Sequence, residues 1–278
     1  MITKEQKEYL LPKAYNAALR AGAAILEVYE QDAPEVYIKS DNTPITEADR
    51  RAHTIIKEYL GQTRIPLLSE EGREMLYAER KDWDLFWMVD PLDGTKEFIK
   101  GNGEFTINIA LMVDYRPCIG VVYVPYKKLM YFSDCDLGAF RATGVTANSE
   151  AEQTYEEIIR GIDILPLTER RNDPLMIAVS RSHNTDETLQ HIEKMKKKHP
   201  DAVVIEQGSS YKFCLIAEGT IDYYVRTSDT YEWDTAAGEA ILSQAGGKVR
   251  TLSGKHRLKY NKESLINPHF LCRSKWFK

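Results

Sequence analysis

The sequence is short of cysteine, of net positive charge and of long apolar runs, and each shortage removes a class of protein. Only 4 of 278 residues are cysteine, at positions 118, 135, 214 and 272, with no C-x-x-C pair and no histidine at zinc-ligand spacing. That pattern argues against a zinc module or a disulfide scaffold. The apolar runs around Cys118, Cys135 and Cys214 predict reduced core thiols, as in a cytoplasmic protein. The formal charge is −5, so no overall basic field draws the chain to nucleic acid or a lipid surface. No apolar run approaches the ~18 residues that a spanning helix needs. The first residues show no basic-then-apolar leader pattern, and the chain carries no internal repeat or low-complexity segment.

What the chain does have is alternation. Leu10, Leu11, Ala14, Ala18, Ala21, Ile25 and Val28 fall at helical spacing, which predicts a helix over 3–30 packed on a core. A second helix is expected over 46–60, after a turn-rich hairpin that includes the DNTP run. Strands are expected near 65–69, 84–90, 104–113, 118–124 and 129–133. Beyond a polar stretch at 149–173, strands at 175–180, 203–206 and 221–225 alternate with helices at 185–198, 209–217 and 233–245. This is an α/β pattern. One unit over 1–278 is expected, with halves at 1–150 and 174–278.

The densest chemistry lies in WMVDPLDGTKEF, Trp87 to Phe98. An apolar strand runs into Asp90, and Pro91, lacking an amide donor, is expected to end its ladder. Asp93, Gly94 and Thr95 then open a turn into a short helix. Carboxylates spaced this way converge on one point, and Gly94 lets the backbone approach a ligand. Free amides at a helix start attract phosphate, and carboxylates suit Mg²⁺. The same run also reads as an Asp-Pro turn followed by an N-capping Asp. Three further acidic stretches sit at element ends: LLSEEG with Glu70 and Glu71, TEADRRAH with Asp49, and YEWDTAAGEAI with Asp234. Each alone is explicable as a solvated carboxylate or a helix cap. Together they suggest a carboxylate-lined metal site beyond the ends of the strands.

Asp49, the Glu70-Glu71 pair, DPLDGT at 90–95 and WDTAAG at 233–238 together resemble the inositol monophosphatase superfamily of metal-dependent, lithium-sensitive phosphatases. The likeness runs in order over nearly the whole chain. DPLDGTKEFIKGNGEFTINIAL, SRSH at 180–183 and GSSYKFCLIAEG at 208–219 are most similar to the CysQ-type branch, the 3′(2′),5′-bisphosphate nucleotidases. The resemblance implies a layered α/β/α/β/α sandwich with the active site between the halves. It implies two or more Mg²⁺ ions, one held by Glu70, Asp90 and the carbonyl of Leu92, the other by Asp90, Asp93 and Asp234. Thr95 would hydrogen-bond the attacking water and pass a proton toward Asp49, while the amides of Gly94 and Thr95 cradle the phosphate. Glu71 would give support.

The substrate half is expected from Ser180, Arg181, Ser182 and His183 at a strand end and from the turn Gly208, Ser209 and Ser210. Lys212 and Arg226 are candidates for a second phosphate, with a surface ion pair as the plain alternative for both. Tyr223, Tyr224 and Tyr231 are candidates for stacking on adenine, with packing as the alternative. The expected partner is a small molecule, adenosine 3′,5′-bisphosphate, rather than nucleic acid, and no oligomeric state is implied. Two alternatives stand beside this reading: an inositol or sugar phosphate phosphatase, and a catalytically silent nucleotide or metal sensor.

Overall fold

The computed structural model describes residues 2–31, 36–38, 44–147, 151–169 and 172–277. Its frame is two sheets. One has seven strands, in the order Leu67–Ser69, Leu85–Asp93, Thr106–Val113, Arg116–Val124, Leu129–Asp134, Gly138–Thr143 and Asp163–Ile164. Only its first pair is parallel. The other sheet has five, in the order Val203–Gln207, Met176–Ser180, Tyr223–Arg226, Phe270–Arg273 and Lys248–Thr251, the first three mutually parallel.

Three apolar layers hold these sheets together. Along 85–89, Trp87 and Val89 join one core while Phe86 and Met88 join another. Both faces of that strand are covered, which explains its unbroken apolar run. The first core is closed by the helices Lys4–Tyr29 and Glu47–Gly61, through Leu11, Ala18, Ile25 and Ile56. The second lies between the sheets and contains the helices Tyr211–Glu218 and Trp233–Gln244. The third packs Ile192 of the helix Asp186–Lys198 on Ile177, Val225 and Leu271. The order of layers is α/β/α/β/α, the expected sandwich.

The middle layer is tight because its helix is built of small residues. A side-chain carbon on Gly120 would stand 2.6 Å from both the Ala237 carbonyl oxygen and the Ala240 methyl. The WDTAAG run therefore seats its helix directly on the seven-stranded sheet, and Asp234 at its start is placed against the end of the 85–93 strand.

The structure corrects several expectations. The ladder does not stop at Pro91. It skips two residues at a bulge and resumes where Asp93 faces Thr106, so both aspartates stay on the strand and the bulge re-aims them. The strands 138–143, 248–251 and 270–273 were not foreseen. The first is rich in Gly, Ala and Arg, and the last two are only four residues each. Cys118 and Cys135 form a disulfide rather than staying reduced, because the pairing of Ile119 with Asp134 brings Cys135, the first residue of the turn after its strand, beside Cys118. Cys214 is free and buried, as expected, and Cys272 is free and buried too. The hairpin before the second helix exists as a pairing of 36–38 with 44–46. The DNTP turn at 41–43 lies outside the described residues. In the 149–173 stretch, Asp163–Ile164 forms the last strand of the seven-stranded sheet. Among the described residues, no helix is long and apolar enough to cross a membrane.

Candidate active site

Four chain segments meet at one cleft of about 230 Å³. The 67–69 strand delivers Glu70, the bulge delivers Asp90 and Asp93, the helix Thr95–Ile99 begins beside them, and the middle-layer helix delivers Asp234. Carboxylate oxygens of Glu70, Asp90 and Asp234 all lie within 4.8 Å of one another. Asp90 is the innermost, 1% exposed, and its Oδ1 accepts the Leu92 amide at 3.1 Å. Burial, and then the charges of Glu70, Asp93 and Asp234, push its carboxyl well above the ordinary range. Burial and the neighbouring Asp93 and Glu70 do the same to Asp234. Asp93 is raised by burial, against the pull of Lys212 and the Ser210 amide that it accepts. Like charges this close, all on hard oxygen donors, fit a site for divalent cations.

Gly94 joins the bulge to the short helix at φ +95°, a conformation that suits glycine. A side-chain carbon there would also stand 3.0 Å from the Glu104 carbonyl. Thr95 follows, and its hydroxyl donates to Asp49 Oδ1 at 3.2 Å. Asp49 is buried and sits three residues beyond its cap Thr46, whose amide and hydroxyl both donate to Oδ2. Burial raises its pKa to about 6 despite these donors, with the charge of Glu71 adding to the shift. The Thr95–Asp49 pair expected from the resemblance is therefore formed, and it stands next to the carboxylate cluster.

Cations and hydroxyls line the same cleft. Ser180, His183, Gly208, Ser209, Ser210, Lys212 and Arg226 all line the cleft. Ser209 takes a left-handed backbone (φ +53°), and the turn aims the Ser210 amide at Asp93. The Ser210 hydroxyl is spent on Asn108 and Thr106. Lys212 and Arg226 are 3% and 9% exposed, which rules out the surface ion pair. The Lys212 ammonium donates to the carbonyls of Gln207 and Ser209, and burial lowers its pKa to about 8. Arg226 donates to the carbonyls of Ser228 and Asp229. Burial and the cations Arg226, Lys96, Lys212 and Lys100 lower His183 to about 4, so its ring is neutral near pH 7.

Arg181, Ser182 and Tyr223 are not among the residues that line the cleft, whereas Tyr224 and Tyr231 are. Arg181 turns to Glu104 and Glu206, and Ser182 bonds Lys100 and Glu97. Tyr223 stacks on His191 in the outer layer, Tyr224 faces the cleft under Lys212, and Tyr231 stacks on Trp233 at the rim. The sequence reading missed Lys96 and Glu97, which line the cleft, and Glu104, which accepts the Gly208 amide at 2.7 Å. Lys96 adjoins Thr95 in the motif and was open to view. Glu104 is identifiable only once its loop is folded against residue 208.

A layered sandwich with a carboxylate cluster at a strand bulge, and a threonine–aspartate pair beside it, defines a metal-dependent phosphatase. The sequence matches the inositol monophosphatase family over residues 6–276, and the chain belongs to that family. It is 39% identical over 264 residues to the 3′(2′),5′-bisphosphate nucleotidase CysQ of Salmonella typhimurium, covering 94% of this chain and 98% of that protein. The CysQ of Buchnera aphidicola is 38% identical over 261 residues, 93% of this chain and 90% of that protein. Among solved structures, CysQ from Bacteroides thetaiotaomicron superposes with a TM-score of 0.89 at 46% identity, covering 96% of this chain and 98% of that one. An inositol monophosphatase of Thermotoga maritima, at 19% identity and a TM-score of 0.74, shares the fold, with 98% and 93% covered.

Proposed function

We propose that this enzyme is a Mg²⁺-dependent 3′(2′),5′-bisphosphate nucleotidase that converts adenosine 3′,5′-bisphosphate to AMP and phosphate. The observation that carries the reading is that one cleft holds both a carboxylate cluster and several cations. Glu70, Asp90, Asp93 and Asp234 line it together with Lys96, Lys212, Arg226 and neutral His183. Such a cleft suits a substrate whose reacting phosphate meets metal ions on the carboxylates while a second phosphate meets the cations. An inositol monophosphate brings no second anion for those cations. The resemblance to CysQ relatives points the same way.

Glu70, Asp90, Asp93, Asp234 and the Leu92 carbonyl would hold two or more Mg²⁺ ions, since every donor is a hard oxygen and, among the described residues, no Cys or His joins the Glu70, Asp90 and Asp234 group. When bound, the ions supply charge neutralisation on the phosphoryl oxygens and a lowered pKa for a bound water. The chain's own residues do the positioning. Thr95 orients the water through its hydroxyl while that hydroxyl donates to Asp49, and Asp49 takes up the proton through Thr95. The amides of Gly94 and Thr95 hold the reacting phosphate. Lys212 and Arg226 receive the second phosphate, with the ribose and base near Ser180, His183, Gly208, Ser209 and Ser210. A silent sensor has no chemical use for the Thr95–Asp49 contact.

Phosphate release from adenosine 3′,5′-bisphosphate, followed with Mg²⁺ and with excess chelator, tests the proposal. Release with Mg²⁺, a product that retains its 5′-phosphate and loss of activity in chelator are expected. Activity in chelator would remove the metal from the account. The family resemblance adds that lithium should inhibit well below the concentration at which sodium does, and equal inhibition by both salts would remove that point alone.

Stability should report the same cluster. Asp90 and Asp234 hold their protons more tightly when folded than in the unfolded chain, where the ordinary value is 3.8. Their charges therefore oppose folding at neutral pH, and the opposition fades as pH falls toward 4. A divalent cation offsets it only where the carboxylates are charged. Added Mg²⁺ should accordingly raise Tm more at pH 7 than at pH 5. Equal increments at the two values would place the ion elsewhere.

A further inference from the structure

The cations of the cleft differ in what already occupies them. The Lys212 ammonium is enclosed and caps two backbone carbonyls, and Arg226 is turned onto two more. Lys96 is exposed, lies in the first turn of the 95–99 helix and lines the cleft. Its ammonium meets His183 Nε2 at 2.8 Å across the mouth. Among the described residues it makes no ion pair with any carboxylate, while neighbouring Glu97 is turned to Ser182 and Lys100 to the same hydroxyl. The imidazole that receives Lys96 is uncharged near pH 7, because burial and four nearby cations disfavour its proton. A neutral nitrogen is a weak hold on an ammonium compared with a phosphate dianion. A lysine on a flexible stem also moves between acceptors more easily than a planar, bidentate arginine.

We propose that Lys96 is a specificity-determining residue that leaves His183 to bind the second phosphate of the substrate, with His183 as its resting acceptor. This rests on the nucleotidase reading above and deepens it. Lys212 and Arg226 are the buried cations of the cleft, and exposed Lys96 is the one free to reach the incoming phosphate. Its place beside Thr95 links recognition of the distant phosphate to the segment that orients water.

The test compares wild type, Lys96→Ala and Lys96→Arg on adenosine 3′,5′-bisphosphate and on adenosine 3′-monophosphate, which lacks the second phosphate. Lys96→Ala should lower kcat/KM on the bisphosphate about tenfold or more, chiefly through KM, and on the monophosphate by about threefold or less. Lys96→Arg should restore most of the preference, because it keeps the charge. Equal losses on both substrates, or a loss carried by kcat alone, would place Lys96 at the reacting phosphate and overturn the assignment. A preference for the bisphosphate that survives Lys96→Ala would overturn it as well while leaving the nucleotidase reading intact. A wild-type enzyme with no preference between the nucleotides would overturn both.

Discussion

Asp90→Asn is expected to lower phosphate release by roughly 10³-fold or more, the loss of several kcal/mol of transition-state stabilisation. Asp90 is the most enclosed carboxylate of the cluster, and its oxygens lie within reach of both Glu70 and Asp234. A neutral amide there removes the ligand that both proposed ions share. The same change should not destabilise the metal-free protein. Burial and four like charges already disfavour the ionised Asp90, so an uncharged isostere relieves repulsion. Thermal unfolding in chelator should give a Tm at or above that of wild type, while the gain on adding Mg²⁺ shrinks. A variant that loses activity together with its metal-free stability would show that Asp90 serves folding, and one with full activity would end the two-ion reading.

Thr95→Ala carries the second largest expected effect, a fall in kcat of roughly 10²–10⁴-fold, the usual size for a lost proton-transfer or water-orienting contact. Metal affinity should change far less, because the Thr95 hydroxyl donates to Asp49 and is not counted among the ligands. Asp49→Asn should resemble it. Its amide oxygen can still accept from Thr46 and preserve the helix start. The two changes together should lose less than the product of their separate losses, since groups that act as a unit are not additive. Multiplicative losses in the double variant would show that Thr95 and Asp49 do not form one relay.

The catalytic end was legible in the sequence because its residues are local to motifs. Asp90, Asp93, Gly94 and Thr95 fall within six positions, and the apolar strand before them fixes where they emerge. Asp49, Glu70 and Asp234 each mark the start or end of an element, so a sheet with covered faces has to bring them to one edge. What sequence reasoning misplaced depended on register. Pro91 argued for a stopped ladder, yet a bulge lets pairing resume at Asp93, and nothing local distinguishes the two outcomes. Cys118 and Cys135 read as separate core thiols until the hairpin pairing set them side by side. The cations were half legible. Lys212 and Arg226 were named, but only the fold shows Lys212 enclosed against the carbonyls of Gln207 and Ser209 and Arg226 against those of Ser228 and Asp229. Arg181 looked like a substrate cation, and only the folded loop shows it bound to Glu104.

The most direct measurement is the ratio of kcat/KM for adenosine 3′,5′-bisphosphate to that for inositol 1-phosphate, on one enzyme preparation with Mg²⁺. The account predicts a ratio well above one, because only the bisphosphate brings a second anion for Lys96, Lys212 and Arg226, which line the cleft. A ratio below one would contradict the role assigned to those cations, and the family's fold and carboxylate cluster would then serve an inositol phosphate.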